Sequence, residues 1–260
     1  MLKLFVSDID GTLMNVKKEI LDEDIQKLQT ANESGVTICL ASGRMYEEIK
    51  QVIDVLNFPC YAICQNGASI FDGKGKLLRS NCFETELALS IYGFVQQPGL
   101  VPVICRADGN FVTHMTDEAE VVGHRFLTPL CERPDLLQAI CKGMEITKFS
   151  IYGPVPLLEV LLNQLKVEYS DQLTASFSDP DGIDIMPANV DKGAGTQLVE
   201  QYLGINQENV ASIGDSYNDL AMFRRTAFSF AMTHAPEPVK EEAVFVANTV
   251  GEALHKLLDQ

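Results

Sequence analysis

Apolar and polar positions along this chain follow two alternating periods. Leu2–Val6 is a short apolar run, the pattern of a strand buried on both faces. Leu21–Ser34 changes to helical spacing: Asp22 can cap the start, Ile25 and Leu28 lie three apart, and Gly35 ends the run. Val36–Leu40 then predicts a second strand, Met45–Leu56 a second helix and Tyr61–Cys64 a third strand. This βαβαβ rhythm with short connections predicts an α/β fold built on a parallel, doubly wound sheet. From Ala68 to Arg79 the character changes, with Asp72-Gly73-Lys74-Gly75 between short apolar runs as a hairpin turn.

The middle of the chain breaks the alternation. Strand-like runs (Val101–Cys105, Lys148–Tyr152, Leu173–Phe177) mix with helical ones (Glu84–Gln96, Pro134–Lys142, Pro156–Val167) in an α+β order. The apolar run Leu157–Leu165, with Val160, Leu161 and Leu162, reads as a buried helix face. After Met186 the alternation returns: helix Lys192–Leu203 ended by Gly204, strand Val210–Ile213, helix Asn218–Arg224, strands Phe228–Ala231 and Val244–Ala247, and helix Gly251–Leu258. The expected organisation is a core of residues 1–80 and 185–260, interrupted by an inserted α+β domain of residues 81–184.

Composition narrows the context. The 260 residues are 46% hydrophobic and 22% charged, as in an ordinary globular protein, with a formal net charge of −16. That charge, without a Lys/Arg cluster, argues against a nucleic-acid or anionic-membrane partner. An anionic substrate would need a local positive site working against the overall field. Leu2–Val6 is too short for a signal-peptide core and is cut off by Asp8, and no apolar run approaches membrane-spanning length, so a cytoplasmic location is expected. The seven cysteines are scattered without zinc spacing and are expected to be reduced and buried. Nothing in the sequence fixes an oligomeric state.

Four short segments carry candidate chemistry, each at a predicted strand end or helix start. In Val6-Ser7-Asp8-Ile9-Asp10-Gly11-Thr12, two carboxylates one residue apart end the first strand. An extended chain would turn both to one face, where they call for a cation such as Mg²⁺ or a shared proton; a solvated acidic turn fits equally. Ser42-Gly43-Arg44 places a hydroxyl and backbone amides at a helix start, which suits a phosphate or simple capping. Lys192 opens a helix against the macrodipole, a place that an anion would explain and a solvated lysine would also fit, and Gly193 and Gly195 beside it permit close backbone approach. In Gly214-Asp215-Ser216-Tyr217-Asn218-Asp219, two acids one helical turn apart could complete a Mg²⁺ shell or cap the helix. His114, His124, His234 and His255 are far apart and accompany no nucleophile motif.

The order of these segments is more specific than any one of them. Asp8-x-Asp10-Gly-Thr, Ser42-Gly-Arg44, Lys192 and Gly-Asp215-x-x-Asn218-Asp219 together resemble the haloacid dehalogenase superfamily of phosphatases. Gln65-Asn66-Gly67-Ala68 before the insertion and Gly182-Ile183-Asp184-Ile185 after it resemble the Cof-type sugar-phosphatase branch, with Ser42 where many relatives have Thr. The resemblance implies a Rossmann-like core with a large inserted cap, and hydrolysis of small phosphorylated metabolites, sugar phosphates foremost.

It also implies roles. Asp8 would be the nucleophile that forms an aspartyl-phosphate, and Asp10 the general acid and base. Mg²⁺ would be held by Asp8, the Asp10 backbone carbonyl and Asp215, with Asp219 in or just behind that shell. Ser42, Gly43, Lys192 and Asn218 would bind phosphate, and Arg44 and Asn66 would be weaker substrate contacts. Arg106, Asp108, His114 and Lys148 are polar candidates in the cap, each equally suited to facing solvent. A phosphomutase on a related fold and a non-catalytic phosphosugar-binding regulator are the alternatives.

Overall fold

The computed structural model describes residues 1–126 and 128–258. In chain order the first elements are β1 (Leu4–Ser7), α1 (Asp22–Glu33), β2 (Thr37–Ala41), α2 (Tyr46–Leu56), β3 (Tyr61–Cys64), β4 (Ser69–Phe71) and β5 (Leu77–Ser80). Next come α3 (Thr85–Val95), β6 (Val101–Arg106), β7 (Gly109–Val112), α4 (Asp117–Gly123), β8 (Leu130–Glu132), α5 (Leu136–Cys141), β9 (Lys148–Tyr152), α6 (Val155–Tyr169), β10 (Leu173–Asp179) and β11 (Gly182–Pro187). The chain ends with α7 (Lys192–Leu203), β12 (Val210–Gly214), α8 (Leu220–Arg225), β13 (Phe228–Met232), α9 (Glu237–Glu242), β14 (Phe245–Ala247) and α10 (Val250–Leu258). Contacts divide it into two compact units, Met1–Arg79 with Asp191–Gln260, and Ser80–Val190.

The first unit carries an eight-stranded sheet in the order β14-β13-β12-β1-β2-β3-β4-β5. The six strands from β14 to β3 are parallel, and β4 turns back antiparallel on β3. Strand alternation sorts the side chains into two cores. Phe5, Ile38, Leu40, Ala211, Ile213 and Phe230 pack with α1, α2 and α10 on one face. Leu4, Val6, Cys39, Ile63, Val210 and Ala231 pack with α7, α8 and α9 on the other. The doubly wound arrangement puts every βα connection of the parallel strands at one sheet edge, where such folds collect ligands.

The second unit is a six-stranded sheet, β10-β11-β9-β6-β7-β8, antiparallel except for β7 with β8. One face is covered by α3, α5 and α6 through Ile91, Leu136, Ile140, Leu158, Leu161 and Leu165. On the other face α4 packs through Ala119 and Val122.

Local differences from the expected elements have specific causes. Helix α1 begins at Asp22 itself, with Leu21 in the capping position and no side-chain cap; Asp22, Glu23 and Asp24 instead fill the first turn, where the dipole favours acids. The return boundary falls at 190/191 rather than 184/185, because Gly182–Pro187 is one continuous strand of the second sheet. The expected helix from Asn218 starts as a 3-10 turn, Tyr217–Asp219, before α8. In α6, Leu158, Leu161 and Leu165 are buried, but Leu157 and Val160 are exposed, so only one stripe of that apolar run faces the core. All seven cysteines are free; Cys39, Cys60, Cys64 and Cys105 are buried, whereas Cys131 and Cys141 are exposed. No helix among the described residues is long and apolar enough to cross a membrane.

Candidate active site

The carboxyl ends of β1, β2, β3 and β12 and the start of α7 bring the candidate residues together. Strand β1 ends at Ser7, so Asp8 and Asp10 do not share an extended strand as expected. A tight turn follows, closed by Met14 N donating to Ile9 O at 2.7 Å and Gly11 N to Met14 O at 2.9 Å. Asp8 stays anchored to the sheet through its amide, which donates to Ile213 O at 3.0 Å, and its side chain is buried. Asp10 lies beyond the bend and is half exposed.

Lys192 is the centre of the charge arrangement. Its side chain is fully buried, and its Nζ donates to Asp8 Oδ1 at 2.6 Å and to Asp219 Oδ1 at 2.7 Å. The helix that carries it is capped by Asp191, whose Oδ1 accepts from Ala194 N at 2.7 Å. Gly193 and Gly195 prove to serve packing: a Cβ on Gly193 would strike the Ala221 carbonyl, and one on Gly195 would strike Ile63. Burial alone would depress the Lys192 pKa, but Asp219 and Asp8 outweigh it and hold the ammonium charged.

Asp219 is fully spoken for: Oδ1 accepts from Lys192, and Oδ2 accepts from Asp215 N and Ser216 N, each at 2.9 Å. Asp215 is partly open; its Oδ1 accepts from Thr12 Oγ1 at 3.2 Å. Asp8, Asp215 and Asp219 each offer an oxygen, and these atoms lie within 4.8 Å of one another. Burial, reinforced by Asp219 and Asp215, raises the Asp8 carboxyl well above its ordinary range despite Lys192. Burial and Asp219 raise Asp215 in the same direction. Three carboxylates against one ammonium leave an uncompensated negative excess, and Asp8 Oδ2 is buried without a hydrogen-bond partner. An all-oxygen donor set with an orphaned carboxylate oxygen fits a hard divalent cation such as Mg²⁺.

The neighbouring loops are stitched to each other. Ser42 N donates to Ile63 O, Asn66 N to Ser42 O and Gln65 N to Arg44 O, at 2.8–2.9 Å. Ser42 Oγ accepts from Arg44 N at 3.2 Å, with Gly43 between them, so its own proton is left to donate. Asn218 Nδ2 donates to Asn66 Oδ1 at 3.2 Å, and Asn66 holds a left-handed φ of 54° to do so. Arg44 donates through Nε and Nη2 to the two oxygens of Asp10 at 2.7 and 2.6 Å.

One residue that the sequence reading set aside sits at the site. His234 Nε2 is 3.7 Å from Asp215 Oδ2, on the turn just after β13, beside the strand that carries Asp215. Its position past a parallel strand's carboxyl end was the available signal. Each cap candidate has an acidic or basic partner in its own unit: Arg106 pairs with Asp108 at 2.8 Å, His114 with Glu132 at 3.4 Å, and buried Lys148 with Asp184 at 2.9 Å.

The chain has recognisable relatives among known proteins. The family model for haloacid dehalogenase-like hydrolases matches residues 5–253. A 5-amino-6-(5-phospho-D-ribitylamino)uracil phosphatase of Bacillus subtilis is 26% identical over 254 residues, covering 95% of this chain and 90% of that protein. A pyridoxal phosphate phosphatase of Escherichia coli is 26% identical over 251 residues, covering 94% and 92%. The crystal structure of a haloacid dehalogenase-like hydrolase from Bacteroides thetaiotaomicron superposes with a TM-score of 0.87 at 25% identity, covering 99% of this chain and 100% of that one. The chain belongs to the haloacid dehalogenase-like hydrolases, as a Cof-type member among relatives that are named phosphatases.

Proposed function

We propose that this protein is a Mg²⁺-dependent phosphatase that hydrolyses small phosphorylated metabolites, sugar phosphates foremost, through an aspartyl-phosphate on Asp8. The observation that carries this reading is the Asp8 carboxylate, with Oδ1 on Lys192 Nζ and Oδ2 buried and unpartnered beside Asp215. A carboxylate so held has one oxygen fixed and one available, as a positioned nucleophile needs.

Asp8 attacks phosphorus, the bond from phosphorus to the leaving oxygen breaks, and Asp10 gives that oxygen its proton. Asp10, now ionised, takes a proton from water; the hydroxyl attacks phosphorus and Asp8 leaves as carboxylate. Ser42, Gly43 and Asn218 hold phosphoryl oxygens. Lys192 neutralises Asp8 and keeps it oriented. Asp8, Asp215 and the Asp10 carbonyl would hold Mg²⁺, which supplies positive charge where the phosphoryl oxygens meet the carboxylates. Asp219, with both oxygens engaged by Lys192 and backbone amides, stands behind that shell. The Ser80–Val190 unit supplies none of these groups, and we assign the choice of leaving group to it.

The test is a panel of phosphate esters assayed with Mg²⁺ and ranked by kcat/KM, for the wild type and for Asp8→Asn. Two relatives are named for phosphates of a uracil derivative and of pyridoxal, so esters of nitrogen heterocycles belong on the panel beside sugar phosphates. Full activity in Asp8→Asn would overturn the reading. Phosphate transfer within a bisphosphate-activated substrate would favour a mutase, and phosphosugar binding without turnover a regulator.

A further inference from the structure

Arg44 and Asp10 occupy each other completely. The guanidinium gives Nε to one Asp10 oxygen and Nη2 to the other, at 2.7 and 2.6 Å. In this arrangement both Asp10 oxygens are engaged by Arg44, and Arg44 has its planar fork turned toward a carboxylate. Yet Arg44 belongs to the loop that carries Ser42, and its backbone N donates to the Ser42 hydroxyl. Its side chain is mostly buried, at 12% exposed, whereas that of Asp10 is 51% exposed. Burial works against the guanidinium's charge, but Asp10, with Glu48 and Asp8 adding to it, outweighs burial and holds the group charged.

The fork of an arginine matches a phosphoryl group as well as it matches a carboxylate. A half-exposed carboxylate is a replaceable partner, because water can take over its hydrogen bonds when it leaves. A phosphoryl dianion beside Ser42 would offer Arg44 two oxygens and more charge. We propose that the Arg44–Asp10 pair is a latch opened by the substrate: Arg44 exchanges the Asp10 carboxylate for phosphoryl oxygens, and the released, half-exposed Asp10 takes up a proton from water and faces the leaving-group oxygen as its acid. This rests on the phosphatase reading above and adds a phosphoryl-binding role for Arg44, with Asp10 as its competitor in the empty site. A permanent clamp, in which Arg44 holds Asp10 throughout, is the opposing arrangement.

The two are separated by equilibrium binding of inorganic phosphate. Isothermal titration in Mg²⁺-containing buffer is run on the full chain as wild type, Asp10→Ala, Arg44→Ala and the double variant, with circular dichroism to verify folding. The latch predicts that Arg44→Ala weakens phosphate binding. It also predicts that Asp10→Ala tightens binding about tenfold when Arg44 is present and by less than about threefold when Arg44 is absent. Loss of a nearby negative charge would by itself help the anion equally in both backgrounds, so an additive cycle overturns the latch. No tightening by Asp10→Ala overturns it as well, in favour of the clamp. Should Asp10→Ala misfold, Asp10→Asn runs the same cycle. An additive cycle with clear phosphate binding sinks the latch alone; absence of binding by every variant sinks the phosphatase reading with it.

Discussion

Lys192 Nζ lies 2.7 Å from Asp219 Oδ1, and both side chains are wholly out of solvent. The same ammonium reaches Asp8, so removing it leaves two buried carboxylates without their cation. Breaking a buried pair from one side costs about 3–5 kcal/mol. Lys192→Met should therefore lower unfolding free energy by about that much in urea titrations and reduce kcat by at least about a hundredfold. A variant with wild-type stability and rate would show that Lys192 is a passenger.

Metal-free protein should resist its own ionisation. Burial raises the folded-state pKa of Asp8, and less strongly that of Asp215, so the folded chain takes up these protons first as pH falls. Their stabilising contribution is complete below the unfolded value of about 3.9 and is lost as pH rises through the folded values. In EDTA, Asp8→Asn should gain stability over the wild type as pH is raised from about 4 to 8. Mg²⁺ should erase the difference, because it favours the ionised carboxylates. Parallel stability curves would contradict this.

Gly11 leaves no room for a side chain beside the Asp215 carboxylate. It has a φ of 81°, and a Cβ built on it would overlap the Asp215 carboxylate, whereas Gly35, with a φ of 88°, has nothing nearby. Gly11→Ala and Gly35→Ala share a backbone penalty of about 1 kcal/mol. Only Gly11→Ala should also shift the Mg²⁺ titration midpoint upward, by about tenfold or more. Equal midpoints in the two variants would remove Gly11 from the site.

Asn66 is placed to orient Asn218, since its amide oxygen accepts from Asn218 Nδ2. Asn66→Gly keeps the left-handed backbone and deletes the amide. Phosphate inhibition should weaken several-fold, in line with a lost hydrogen bond of about 1 kcal/mol. The same change made on Asn218→Ala should have no further effect. Additive losses in the double variant would give Asn66 a contact of its own.

Much of the core was legible because two periods and their punctuation agree there. β2, β3 and α2 fall within a residue or two of their expected places, since apolar runs, Gly35 and the helical stripe of α2 point the same way. β7, β8, α4 and α9 were not read. β8 is a three-residue strand, too short to show a period; α4 announces itself only through Thr116, whose hydroxyl accepts from Ala119 N. At the site, residue types and order were readable, but pairings were not. That Arg44 takes Asp10, and that one Asp219 oxygen is taken by backbone amides, depend on where a turn bends after Ser7 and Gly214. His234 was passed over because its relation to Asp215 runs across two strands, not along the chain, and its place just past a strand end was the one sign of it.

The contact between Lys192 and Asp8 spans 184 positions of sequence in a chain of 260. Contacts so distant form late, because the intervening chain must be made and ordered before its ends can meet. During synthesis Asp8 and Asp10 emerge first and wait through the entire insertion for their ammonium, and longer still for Asp215 and Asp219. A product cut short before residue 219 would contain Asp8, Asp10 and the Ser42-Gly43-Arg44 loop yet could not assemble the charge cluster. Activity in this protein would thereby report that synthesis has passed Asp219 and that the two segments of the first unit have met.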